Sequence, residues 1–135
     1  LGGTDAANYT LTLPTLSANI TARALTIGGT LSVNSTKVYD GALGATFVNA
    51  ALLTLSNVPA GDAGNSAKLA IASPVAQYAT KTVGTSKTVS VTSASLSGTS
   101  AGNYTLSVAG APTATANSQP PRQQRARAAP PRTAW

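Results

Sequence analysis

Four short runs in this chain alternate apolar and polar side chains with a period of two: Tyr9-Thr-Leu-Thr-Leu13, Ala24-Leu-Thr-Ile27, Lys87-Thr-Val-Ser-Val91 and Tyr104-Thr-Leu-Ser-Val108. A period of two puts all the apolar groups on one face of an extended backbone, which is the pattern of a half-buried strand. Leu52-Leu-Thr-Leu-Ser56 and Lys68-Leu-Ala-Ile-Ala72 follow it less cleanly. Turn formers stand between the runs: Gly28-Gly29, Asp40-Gly41, Pro59-Ala-Gly-Asp62, Gly64-Asn65 and Ala101-Gly-Asn103. No stretch carries the 3.6-residue period of an amphipathic helix. Ala42–Ala51 is rich in alanine but also holds Gly44, Thr46 and Val48, and reads as strand or irregular chain. The expectation is an all-β fold of six to nine short strands, an antiparallel Ig-like β-sandwich, with a β-grasp-like fold or a piece of β-solenoid as alternatives. Leu11, Leu25, Val38, Leu55, Val89, Val91, Leu96, Leu106 and Val108 are its expected core, with Tyr9, Tyr39 and Tyr104 anchoring the ends. With one Phe and four Tyr, that core is light in aromatic surface.

The chain also repeats itself. Leu1-Gly-Gly-Thr-Asp-Ala-Ala-Asn-Tyr-Thr-Leu11 returns as Leu96-Ser-Gly-Thr-Ser-Ala-Gly-Asn-Tyr-Thr-Leu106, with eight of eleven positions identical and an offset of 95 residues. A period of that length is a repeated globular unit rather than the coil of about 20 residues of a solenoid. The expected division is residues 1–22 as the C-terminal strand and junction of a preceding repeat, 23–117 as one complete β module, and 118–135 as a disordered Arg/Pro-rich tail. The chain thus reads as a piece of a longer array.

Charge follows the same division. The tail holds Arg122, Arg125, Arg127 and Arg132, four of the nine basic residues that give the net charge of +6. The body carries Arg23, Lys37, Lys68, Lys81 and Lys87 against Asp5, Asp40 and Asp62, and is close to neutral. The tail has two Pro-Pro pairs and no aromatic interleaving before Trp135, so it reads as a polyproline-like end and not as a nucleic-acid arm. No apolar run approaches the roughly 20 residues of a membrane-spanning helix.

The chain has no Cys, His or Glu. Disulfides, thiolate metal sites and histidine-based catalysis are therefore out of reach. Gly98-Thr-Ser-Ala-Gly102 fits the G-x-S-x-G pattern of a nucleophile elbow, but that pattern needs a helix after the serine and a base, whereas Tyr104 opens an alternating run. The earlier copy places Asp5 where Ser100 stands, so the repeat does not demand a serine; the segment reads as a turn. Asp40-Gly41 likewise reads as a tight turn rather than a ligand. Asp5, Asp40 and Asp62 lie on separate turns, a weak case for a Ca²⁺ site or for paired glycosidase carboxylates. An internal Lys–Asn isopeptide bond would need Asp40 or Asp62 beside Lys37 or Lys68. Asn8, Asn19, Asn34 and Asn103 each open an Asn-x-Thr sequon, read either as glycan acceptors or as turn residues of an Asn/Thr-rich chain. No catalytic, cofactor or metal residue is assigned, and the chain is expected not to be an enzyme.

Lys37-Val-Tyr-Asp-Gly41, then Val83-Gly-Thr-Ser-Lys-Thr-Val-Ser-Val91, then Leu96 to Leu106 follow one another in an order that resembles the YDG repeat module of filamentous haemagglutinin-like bacterial surface adhesins and exoproteins. The resemblance covers residues 1–117, and Ile20-Thr-Ala-Arg-Ala-Leu-Thr-Ile27 looks like the junction between two such modules. Pro112-Thr-Ala-Thr-Ala-Asn117, at the corresponding place after the second copy, departs from it and reads as degenerate. The resemblance implies a secreted, cell-surface β repeat acting as a stalk or spacer, with neighbouring repeats of the same polypeptide as its partners. The alternative it leaves is an adhesive module contacting host glycans or proteins.

Overall fold

The structure is a computed structural model that describes residues 1–123 and 131–133. Eight strands follow in order: β1 Arg23–Gly29, β2 Thr36–Val38, β3 Gly44–Ala45, β4 Leu53–Ser56, β5 Ala70–Tyr78, β6 Gly84–Ser97, β7 Tyr104–Ser107 and β8 Thr113–Gln119. Three single 3₁₀ turns, Ala6–Asn8, Ala50–Leu52 and Ala101–Asn103, are the only helical segments among the described residues. The all-β expectation thus holds.

The strands form two sheets, ordered β4-β1-β7 and β2-β8-β6-β5-β3. Both are mixed, and this corrects the purely antiparallel arrangement. β1 runs parallel to β7, with Arg23 opposite Tyr104 and Leu25 opposite Leu106. β2 runs parallel to β8, with Thr36 opposite Asn117. Parallel neighbours need a long crossover, and here most of the module separates β1 from β7 and β2 from β8. Alternation within a strand records which residues share a face, not which strand lies alongside or in which direction.

β6 is the spine of the larger sheet, antiparallel to β5 on one side and β8 on the other. Two irregularities bend it. The β5–β6 register slips around Ser73 and Pro74, where Ser73 has φ +45 and the proline lacks a ladder donor. The β6–β8 register slips between Gly84 and Lys87, where Ser86 has φ +49 and its N–H donates to Asn117 Oδ1 at 2.8 Å.

Buried side chains of both sheets form one cluster: Ile27, Leu31, Leu53, Ala76, Tyr78, Val89, Val91 and Ala116, with Leu106 and Val108 packed against it. Leu25 and Val89 are fully buried, and Leu55 and Leu96 are half-buried. Small side chains bury less apolar area, so Tyr78, absent from the expected core, supplies much of the surface that Ala76 and Ala116 cannot.

Several expectations are corrected. Leu11 is exposed because Tyr9–Leu13 forms no strand: no chain lies beside it to accept its hydrogen bonds. Tyr9 is exposed for the same reason. Val38 and Tyr39 are exposed because β2 turns Lys37, not Val38, toward the interior. Thr113–Gln119 is no degenerate remnant; it is β8, paired on both edges. The tail therefore starts later than residue 118: Ser118 is buried and Gln119 completes the strand. The rest of the expected disordered tail lies largely outside the described residues, including Arg125 and Arg127.

Candidate functional site

Two polar clusters stand out, and each fastens a loop. The first gathers around Lys37 on β2. Its Nζ donates to the carbonyls of Ala42 at 2.9 Å and Gly44 at 2.8 Å, and pairs with Asp40 Oδ1 at 2.9 Å. The same Oδ1 accepts the N–H of Ala42 at 2.9 Å, an Asx turn that folds Tyr39-Asp40-Gly41 back on itself. The ammonium also sits 5.9 Å from the centre of the Tyr78 ring, within reach of its negative face. The Tyr39 N–H donates to Gln119 O at 2.7 Å, tying the turn to the end of β8. The hydrogen bond from Lys37, followed by that from the Ala42 N–H, holds the Asp40 carboxyl below its ordinary value of 3.8. A small cleft of about 260 Å³ beside this cluster is lined by Asn34, Thr36, Lys37, Asp40, Gly44, Thr46 and Tyr78.

The second cluster joins β7 to the loop before β5. The Tyr104 hydroxyl donates to Asp62 Oδ2 at 2.7 Å, Lys68 Nζ lies 3.8 Å from Asp62 Oδ1, and Lys68 Nζ donates to Gly61 O at 2.9 Å. The hydrogen bond to the carboxylate raises the Tyr104 pKa above 10.0. An open groove of about 540 Å³ runs beside this loop, between apolar side chains such as Leu53, Leu55 and Ile71 and the polar edge of Asp62, Asn65 and Ser66.

These clusters bring together residues that the sequence marks singly. Asp40 meets Lys37, Asp62 meets Lys68 and Tyr104, and of the three expected end-anchoring tyrosines Tyr104 anchors through its side chain and Tyr39 through its backbone N–H. Both lysines are held by an aspartate and backbone carbonyls, with no asparagine side chain in the contact that an isopeptide bond would need. Gly98–Gly102 is a turn in which Ser100 precedes the 3₁₀ turn Ala101–Asn103 and its side chain caps nothing. Asn8, Asn19, Asn34 and Asn103 are all exposed. Among the described residues no three of His, Cys, Asp and Glu converge. The Lys37 clamp is the feature that reading the chain misses. Its only signal is a lysine three residues before an aspartate on a strand whose parity turns that lysine inward.

The repeat can now be compared with itself in three dimensions. Gly3 and Gly98 share a positive φ, +111 and +109. Ala6–Asn8 and Ala101–Asn103 form the same 3₁₀ turn, and Tyr9 and Tyr104 leave it with extended backbone. Even the hydrogen bonds correspond: Ala6 N–H to Gly3 O at 3.2 Å against Ala101 N–H to Gly98 O at 3.2 Å, and Asn8 N–H to Asp5 O at 3.0 Å against Asn103 N–H to Ser100 O at 3.0 Å. Residues 21–115 match the YDG domain family, a span that runs from just before β1 into β8. No curated protein and no solved structure matches the chain.

Proposed function

We propose that this chain, which belongs to the YDG domain family, is a structural spacer from a tandem array of such modules, part of the stalk of a secreted bacterial cell-surface adhesin of the haemagglutinin-like exoprotein type. The observation that carries the reading is the second copy of the module's closing turn at residues 1–11, identical at eight positions and folded in the same way. Repetition at this period is the mark of an array whose units lean on their neighbours. The polar clusters support a mechanical role: each pins a loop to the sheet through a lysine, an aspartate and main-chain carbonyls. The Thr-, Ser- and Asn-rich exterior suits a chain that must stay extended among copies of itself without aggregating.

Sequencing the gene on both sides of this segment tests the proposal. Further YDG units in tandem support it, and a single YDG unit joined to a catalytic domain sinks it. A second reading, an adhesive module, draws on the open groove beside Asp62 and the exposed Tyr39. Glycan-array binding by the intact chain that disappears on Tyr39→Ala or Asn65→Ala would favour it.

A further inference from the structure

Ile20 is fully exposed, and Ala22 and Ala24 are exposed too, three alternating apolar residues that run into β1 on the face opposite Leu25 and Ile27. The structure of the module supplies what would cover them. After the closing turn and β7, the complete module continues into β8, whose inward residues are Ala114, Ala116 and Ser118. Thr115-Ala116 of β8 corresponds to Thr21-Ala22, an offset of 94 residues, one less than in the closing turn. On that correspondence β8 maps onto residues 19–25. Ala114, Ala116 and Ser118 fall on Ile20, Ala22 and Ala24, so the small inward residues of β8 meet small or apolar residues at every position. Keeping the offset at 95 would instead put Arg23 in the buried place of Ser118.

Residues 19–25 therefore overlap β1, Arg23–Gly29, by three residues. We infer that residues 19–29 form one continuous strand shared by two consecutive modules, the last strand of the upstream copy and the first strand of this one. The inference rests on the tandem-array reading above. The partner is specific: the open core of a second copy of this module, lying upstream in the same polypeptide.

Side-chain parity permits the sharing, and so does the pairing along one edge. Successive side chains of a strand point to opposite faces. Ile20, Ala22 and Ala24 face the upstream core, while Leu25 and Ile27 face this module's core, so adjacent modules sit on opposite faces of the strand they share. The partner strands follow one another along one edge and meet on the other. By correspondence with β8, the upstream β6 pairs with residues 19–22 and the upstream β2 with 23–25. In this module β7 pairs with Arg23–Thr26 and β4 with Thr26–Gly29. The Asn117 N–H and the Gln119 carbonyl face β2, so by correspondence Arg23 and Leu25 face the upstream β2; the Thr30 N–H donates to Leu52 O of the β4 side, so Arg23 and Leu25 also face β7. The upstream β6 followed by β4 thus occupies one edge, and on the other β7 takes the place along residues 23–25 that β2 holds beside β8 at the end of the array. No linker residue remains between modules, so the joint is as stiff as a sheet.

The test is a two-module chain made by placing a copy of Arg23–Ser95 directly before Leu1. In this chain as it stands, the amides of Ile20 and Ala22, which correspond to the β6-facing Ala114 and Ala116, lie outside any strand and should exchange freely. In the two-module chain they should slow by at least about a hundredfold, as ladder hydrogen bonds do. Ile20→Asp should leave the melting temperature of the present chain unchanged and abolish the upstream transition of the two-module chain. Spin labels at Thr92 in each copy should give one narrow distance distribution. Two folded copies with fast exchange at Ile20 and Ala22 and a broad distance distribution would overturn the shared strand and leave the array standing. An upstream copy that fails to fold in the unmutated two-module chain would overturn both.

Discussion

Replacing Gly98 by alanine should be among the most damaging single changes in this module, while the same change at Gly3 should be nearly silent. The two glycines occupy matching positions of the repeat, with φ +109 and +111, where an L side chain is strained by on the order of 1–3 kcal/mol. Only Gly98 is also crowded. A Cβ there would lie 2.8 Å from Leu69 N and closer still to the Lys68 carbonyl, whereas nothing stands within 4 Å of one on Gly3. The Lys68 peptide cannot yield cheaply, because its carbonyl accepts the Ser100 N–H at 2.9 Å and the neighbouring Ala67 carbonyl accepts the Thr99 N–H at 3.1 Å. Losing both bonds adds about 0.5–1.5 kcal/mol each. Strain and lost bonds together come to about 4 kcal/mol. A domain of this size has a total stability of roughly 5–15 kcal/mol, so the melting temperature should fall by about 15–30 °C. At Gly3 the surrounding segment pairs with no strand and relaxes around the new methyl group, so the change should stay within about 0.5 kcal/mol. Urea and thermal unfolding followed by far-UV circular dichroism measure both variants. Equal losses at the two positions, or a loss below about 1 kcal/mol for Gly98→Ala, would refute the argument that tertiary crowding sets the cost.

The same pairing extends to side chains: Leu106→Ala should cost about 2 kcal/mol because Leu106 packs on the core, while Leu11→Ala should change the urea midpoint negligibly. Lys37→Met should loosen the Tyr39–Gly41 turn and return the Asp40 pKa toward 3.8, which a carbon-detected NMR titration of the carboxyl would read. The native Asp40 binds its proton more weakly than the unfolded chain does, so its contribution is present above pH 3.8 and lost as pH falls through the lowered native value; the variant should lose that part of the acid slope. Tyr104 shows the opposite sign: its contribution is whole below pH 10.0 and lost as pH rises through the raised native value, so Tyr104→Phe should flatten the alkaline limb of stability measured by urea unfolding.

The candidate clusters were only half legible in the chain. Asp40-Gly41 announces a turn because the side chain of Asp40 bonds two residues ahead, a local act. The lysine that clamps it is legible only once β2 fixes which of Lys37 and Val38 points inward. The Tyr104–Asp62 bond joins residues 42 apart, and no local pattern encodes that meeting. β8 was missed because Thr113-Ala-Thr-Ala-Asn117 carries no large apolar residue; its burial comes from the strands on either side, β2 and β6.

The repeat separates the two kinds of information directly. At residues 3–9 and 98–104 the chain makes the same glycine bend and the same 3₁₀ turn, because those bonds close within three residues and need no neighbour. Immediately afterwards Tyr9-Thr-Leu-Thr and Tyr104-Thr-Leu-Ser carry nearly the same alternation, yet only the second is a strand. A strand's hydrogen bonds point sideways, out of the segment that makes it, and β1 lies beside Tyr104–Ser107 but not beside Tyr9–Thr12. Composition and alternation determined that this chain is all β, and where its turns fall. Which runs become strands, which way they face and which neighbour they join was decided only by tertiary pairing, because each of those choices depends on a partner distant in sequence.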